Sequence, residues 1–232
     1  MSSFRVIVTG FIFLSSTLGF GQTTKEDDLG AWYMYFFNTK FKESRFGIQG
    51  DIQYRNFNFG GDLEQLLIRS GVTFTPKYTN ITLTLGVANI TTGIIGENND
   101  TFNEKRIYQE ALLPQKVGNR IYLTHRFRYE QRFVDNQDFR TRFRYNLFMN
   151  IPLNKTLVEK KAIYLALYNE LFINGESNIG NNRKVSVFDR NRFYAGLGYG
   201  ITNKIRVQLG FMNQSIESSG RDQIQISLHH NF

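Results

Sequence analysis

The 232 residues suffice for one domain with its own core, and 41% hydrophobic content excludes a disordered chain. Lys and Arg (28) outnumber Asp and Glu (20), which raises nucleic acid as a partner, but the charges are dispersed at period two and not clustered on one helix or loop, which argues against it. There is no cysteine, so disulfides cannot hold an exported form, and a mean hydropathy of -0.35 leaves a membrane barrel open, because strands with one polar and one apolar face average out.

The chain opens with MSSFRVIVTGFIFLSSTLGFGQTT: a basic Arg5, an apolar stretch from Val6 to Phe20, and small residues at Gly19 and Gly21. This reads as a signal peptide over residues 1–21, leaving Gln22 as the new N-terminus. The stretch is short and is interrupted by Thr9, Gly10, Ser15, Ser16 and Thr17, which disfavours a membrane anchor helix. A linker over residues 22–28, containing KEDD, leads into the domain expected over 22–232.

From there, segments of alternating apolar and polar residues follow one another with no amphipathic helix between them. They are expected near Leu29 to Phe37, Arg45 to Phe57, Leu63 to Thr75, Asn80 to Thr92, Glu104 to Leu113 and Asn119 to Phe133. Further ones are expected near Asp138 to Ile151, Ala162 to Ile173, Phe188 to Ile201, Lys204 to Ile216 and Asp222 to Phe232. Many reach the ~9–11 residues that cross a bilayer at a tilt, more than the ~5–6 usual in a soluble strand. Pro76, Pro114 and Pro152 recur every 38 residues and mark strand ends on one rim, since proline cannot donate to a ladder. That rim carries PKYTN, PQKVGN, PLNKTLVEKK and TNK; the other carries GIIGENNDTFNE, VDNQ, NGESNIGNNRKVS and ESSGR. Short turns opposite longer polar loops is the arrangement of outer-membrane barrels. The last segment, DQIQISLHHNF, ends in Phe232 and resembles the signal read by the outer-membrane assembly machinery, with His230 departing from the apolar pattern. The expectation is therefore an all-β, transmembrane, antiparallel up-and-down barrel of 10–12 strands with a charged lumen, in the bacterial outer membrane. The even parity of single-chain bacterial barrels favours ten or twelve over the eleven segments counted.

With the apolar faces outward, the inward set holds Arg126, Arg128, Glu130 and Arg132, then Arg140, Arg142 and Arg144. Later come Arg190, Arg192 and Arg206, with Glu110 and Glu170 as counter-charges. Interlocked, these form an internal plug; left in excess, they favour small anionic solutes in a narrow pore or binding barrel. The inward glycines of GLGYG, residues 196, 198 and 200, lack a following helix and so make no phosphate loop; they are expected to make room for arginines or to let the strand bend. The NIT tripeptides matter as glycan acceptors only in a eukaryotic secretory route. His125 shares the apolar face of its segment. Ser227 and His229 share an inward face, a weak hydrolase signature with Asp222 or an inward Glu as orienter. No spacing suggests a metal, and no cofactor motif is present.

The blocks NEKRIYQEALLPQKVGNRIYLTHRFRYEQRF, FRTRFRYNLFMNIPLN, YNELFIN and FDRNRFYAGLGYGI together resemble an uncharacterised outer-membrane barrel family common in Bacteroidota. The resemblance implies fold and Gram-negative location but no activity; Glu130, Glu170, Asp189 and Arg192 match its recurrent positions. Three functions follow as expectations: a pore or binding barrel for anions, a non-conducting structural or surface-interaction barrel with an Arg/Glu plug, and, more remotely, an outer-membrane lipid hydrolase. Membrane lipids and the assembly machinery are the expected partners.

Overall fold

Alternation of side chains governs the architecture: β-branched and aromatic residues on one face and charged or amide residues on the other favour strands with two unlike faces. The computed structural model describes residues 29–94, 100–217 and 219–232; the expected signal peptide and linker, residues 1–28, lie outside them. Eleven strands form: β1 (Gly30–Lys40), β2 (Phe46–Asn56), β3 (Leu63–Phe74), β4 (Thr82–Gly93), β5 (Thr101–Val117) and β6 (Ile121–Val134). Then come β7 (Arg140–Pro152), β8 (Ile163–Asn174), β9 (Phe188–Gly200), β10 (Ile205–Ser215) and β11 (Gly220–Asn231). Neighbours in sequence pair antiparallel all round, and β1 pairs β11 to close the barrel.

The closure corrects the parity argument. The number is eleven, and the β1–β11 seam is parallel, with Tyr33 opposite Ile226 and Phe37 opposite His230. An odd number of alternating strands forces one parallel seam, so β1 begins on the loop rim, opposite the rim where Phe232 ends the chain. Pro114 also departs from expectation. It lies inside β5, which runs on to Val117 paired with β6. The β4 ladder stops at Thr82 opposite Leu112, so Pro114 has no strand on its β4 side. A missing N–H costs nothing there.

Every strand sends large apolar residues outward. Tyr33, Ile52, Ile68, Leu85, Ile107, Phe127, Phe143, Ile163, Leu197, Phe211 and Ile226, one from each, are all exposed, Phe211 at 62%. Cross-strand aromatic pairs reinforce this belt, with Phe127–Tyr145 and Tyr129–Phe143 ring centroids 5.0 and 4.9 Å apart. His125 shares the outward face, within hydrogen-bond distance of the Tyr145 hydroxyl at 2.8 Å. The buried set is largely polar: Glu130, Gln223, Gln225 and Asn146 are 2% exposed or less. The barrel is thus inverted relative to a soluble one, apolar outside and charged within.

Two bulges break the alternation near the loop rim. One lies between Phe172 and Ile173, opposite which Asp189 is the extra residue; the other lies between Arg55 and Asn56, opposite Glu64. Both extra residues turn into the barrel, where Asp189 accepts from Arg142 and Glu64 accepts from the Trp32 indole N–H at 3.0 Å. Of the three inward glycines of β9, expected to make room for arginines or to let the strand bend, Gly196 and Gly198 make room for tyrosines and Gly200 for the Glu159 backbone carbonyl. A Cβ at Gly198 would collide with the Tyr164 ring, and one at Gly196 with the Tyr194 hydroxyl.

Candidate binding site in the barrel lumen

The lumen is divided between a charge-filled side and an open side. Toward the loop rim, β5 to β8 bring their alternating inward charges into register. Glu130, 1% exposed, accepts from Arg142 and Arg144 at 2.7 Å each, with Arg106 at 3.6 Å and Arg128 at 3.8 Å. Glu104 holds Arg106 and Arg132 at 2.6 and 2.5 Å, and Glu170 holds Arg144 and Arg126 at 2.5 and 2.7 Å. Glu110 takes Arg128 at 2.5 Å, Asp51 takes Arg69 at 2.8 Å, and Asp189 takes Arg142 at 2.8 Å. Phe172, 1% exposed, sits beneath Arg144 and Arg192, whose guanidinium carbons lie 4.4 and 4.8 Å from its ring centroid. Charge-assisted bonds of this density cross-link these side chains into one layer against the β5 to β8 wall.

Beside that layer a cavity of about 350 Å³ runs from Trp32 and Arg55, near the loop-rim ends of β1 and β2, toward the turn rim. Its outer wall includes Asn38, Asn150 and Asn231, each within two residues of the end of its strand on that rim. Seven arginines line it (55, 69, 126, 128, 144, 192 and 206) against three carboxylates, Asp51, Glu110 and Glu170. Pairing is uneven. The arginines on β3, β6 and β7 have acidic partners, whereas Arg55 on β2, Arg192 on β9 and Arg206 on β10 have none within salt-bridge distance among the described residues. Arg55 donates instead to the Gln53 and Gln65 side-chain oxygens, and Arg192 to that of Gln214. Both stack over Trp32, at 3.7 and 4.8 Å from the ring. The Arg206 Nε is buried with no partner. Cationic character therefore concentrates on the sector from β9 through β11 and β1 to β2.

The residues singled out in the sequence fall as follows. Arg126, Arg128, Arg132, Arg142, Arg144, Glu110, Glu130 and Glu170 meet in the layer just described; Arg192 and Arg206 face the cavity. Arg190 pairs with Asp189 at 3.2 Å near the loop rim, and Arg140 is buried with an unpartnered Nε. Ser227 Oγ lies 3.0 Å from His229 Nε2 on the cavity wall, but the imidazole stacks on Phe36 and no carboxylate reaches it among the described residues. Asp222, the expected orienter, faces outward near the opposite rim and accepts from Asn213, so no triad forms. The sequence reading missed Asp51, Arg55, Arg69, Glu104 and Arg106, although DIQYR and EKR carry the same alternation.

The rims differ in charge. On the turn rim Lys40, Lys42, Arg45, Lys77, Lys116, Arg120, Lys155, Lys160, Lys161 and Lys204 face only Glu43 and Glu159. Among the described residues of the loops, Asp62, Asp100, Asp135, Asp138, Glu176 and Glu217 outnumber Arg183 and Lys184. An anion approaching the turn rim meets a positive ring and then a positive cavity, with low-dielectric walls that focus the field.

Fold and lumen together define a closed β-barrel with an apolar exterior and a charged, partly filled interior. The chain belongs to the family described as protein of unknown function (DUF2490), whose model matches residues 29–225, from the start of β1 into β11. No curated protein and no solved structure matches the chain.

Proposed function

We propose that this protein is a non-conducting outer-membrane barrel that binds a small organic anion in a blind vestibule opening on the turn rim. Arg55 and Arg192 carry the reading: each is at least nine-tenths buried, lines the cavity and has no carboxylate within salt-bridge distance among the described residues, Glu64 and Glu170 standing nearby but out of contact. A buried charge without a counter-ion in contact is costly, and a bound anion between the two guanidinium groups lowers that cost. The apolar belt around all eleven strands supports membrane insertion, because a water-soluble monomer rarely exposes so continuous an apolar surface. The Glu130-centred layer supports a sealed lumen over a through-pore. A hydrolase draws little support from a Ser–His pair without an acid.

Thermal unfolding of the refolded barrel with millimolar phosphate monoesters, sulfate monoesters and monocarboxylates tests the binding reading. At least one anion should raise the midpoint in a concentration-dependent way, as a native-state ligand must. The double variant Arg55→Gln, Arg192→Gln should lose the shift. An equal shift in that variant would refute the assignment.

A further inference from the structure

The wall beside the two arginines narrows the ligand class, on the reading above that the vestibule binds anions. Along β1 the inward positions after Trp32 are Met34 and Phe36, both lining the cavity, and the strand then runs to its end on the turn rim. They form an apolar stripe from the arginine pair toward the mouth. At ~3.3 Å per residue it is roughly 13 Å long. An inorganic anion would use the arginines and leave this stripe in contact with water, which is unfavourable for apolar surface. The volume of about 350 Å³ lies at the small-molecule end of ligand pockets, typically ~300–1,000 Å³.

We propose that the vestibule takes a single-chain amphipathic anion, its oxyanion head held by Arg55 and Arg192 and its apolar chain laid along Trp32, Met34 and Phe36 toward the turn rim. Head and tail are recognised by different walls, so both are required. The head is a carboxylate or a phosphate monoester, either of which accepts from a guanidinium fork.

Trp32 is the one tryptophan in the chain and its ring lies 3.7 and 4.8 Å from the Arg55 and Arg192 guanidinium carbons, so its emission reports occupancy directly. The barrel in zwitterionic liposomes is titrated with sodium decanoate, decyl phosphate, 1-decanol, sodium acetate and inorganic phosphate. Decanoate or decyl phosphate should alter Trp32 emission saturably, at concentrations at least tenfold below those of acetate, phosphate or decanol. The tighter of the two identifies the head as carboxylate or phosphate. Arg192→Gln, with folding verified by its heat-dependent shift in gel mobility, should weaken that binding tenfold or more. Acetate or phosphate binding as tightly as the long-chain anions would overturn this inference while leaving anion binding intact. Decanol binding equally well would show that no charged head is read, and silence toward every probe would remove both readings.

Discussion

At the scale of single residues, the lumen holds two kinds of arginine, and they respond oppositely to neutralisation. Glu130 compensates Arg142 and Arg144 directly, with Arg106 and Arg128 close by, in a site 1% exposed. Glu130→Gln leaves those cations without their shared counter-charge and should cost about 3–5 kcal/mol, read from urea unfolding in lipid vesicles. Arg192→Gln removes a charge that has no acidic partner, so the same assay should find stability unchanged or higher, within about 1 kcal/mol of wild type. Equal losses in the two variants would mean that pairing does not decide stability here. Gly198 provides a steric counterpart. Gly198→Ala drives a methyl into the Tyr164 ring and should destabilise by about 1–3 kcal/mol. A truncation of Tyr164 should relieve part of that cost.

At the scale of strands, alternation made most inward charges legible. Arg126, Arg128, Glu130 and Arg132 share a face because β6 never slips phase, and the same pattern in β7 carries Arg140, Arg142 and Arg144. Asp189 and Glu64 were not legible as inward residues, since each is the extra residue at a bulge and a bulge reverses the phase locally. The parallel seam was also hidden. Which two edges meet on closure depends on the whole strand count, and no local pattern near β1 or β11 encodes it. The seam can be tested by cross-linking in this cysteine-free chain. Tyr33→Cys with Ile226→Cys places the pair directly opposite across β1 and β11, within disulfide reach. Tyr33→Cys with Leu228→Cys offsets the partners to about 8 Å, beyond it. A disulfide should form in the first pair only, and formation in the second instead would contradict the register.

At the scale of the whole molecule, the rims are polarised along the axis, acidic at the loops and basic at the turns, while the lumen is divided across it, with a cross-linked layer on the β5 to β8 side and a cationic cavity wall from β9 to β2. Sequence alone supplied the inward charges but not this division. Whether an arginine is paired depends on which strands face it across the lumen, and Arg55 and Arg192, far apart in the chain, meet only over Trp32. The alternatives of plug and anion-attracting lumen therefore both describe part of the interior, on different walls of the barrel. Planar-bilayer recording of the refolded protein in concentrated salt tests this account most directly. A layer centred on Glu130 that closes the cross-section predicts insertion without steady conductance. Long-lived, anion-selective channels in the unmodified protein would show a continuous aqueous path and contradict the sealed vestibule.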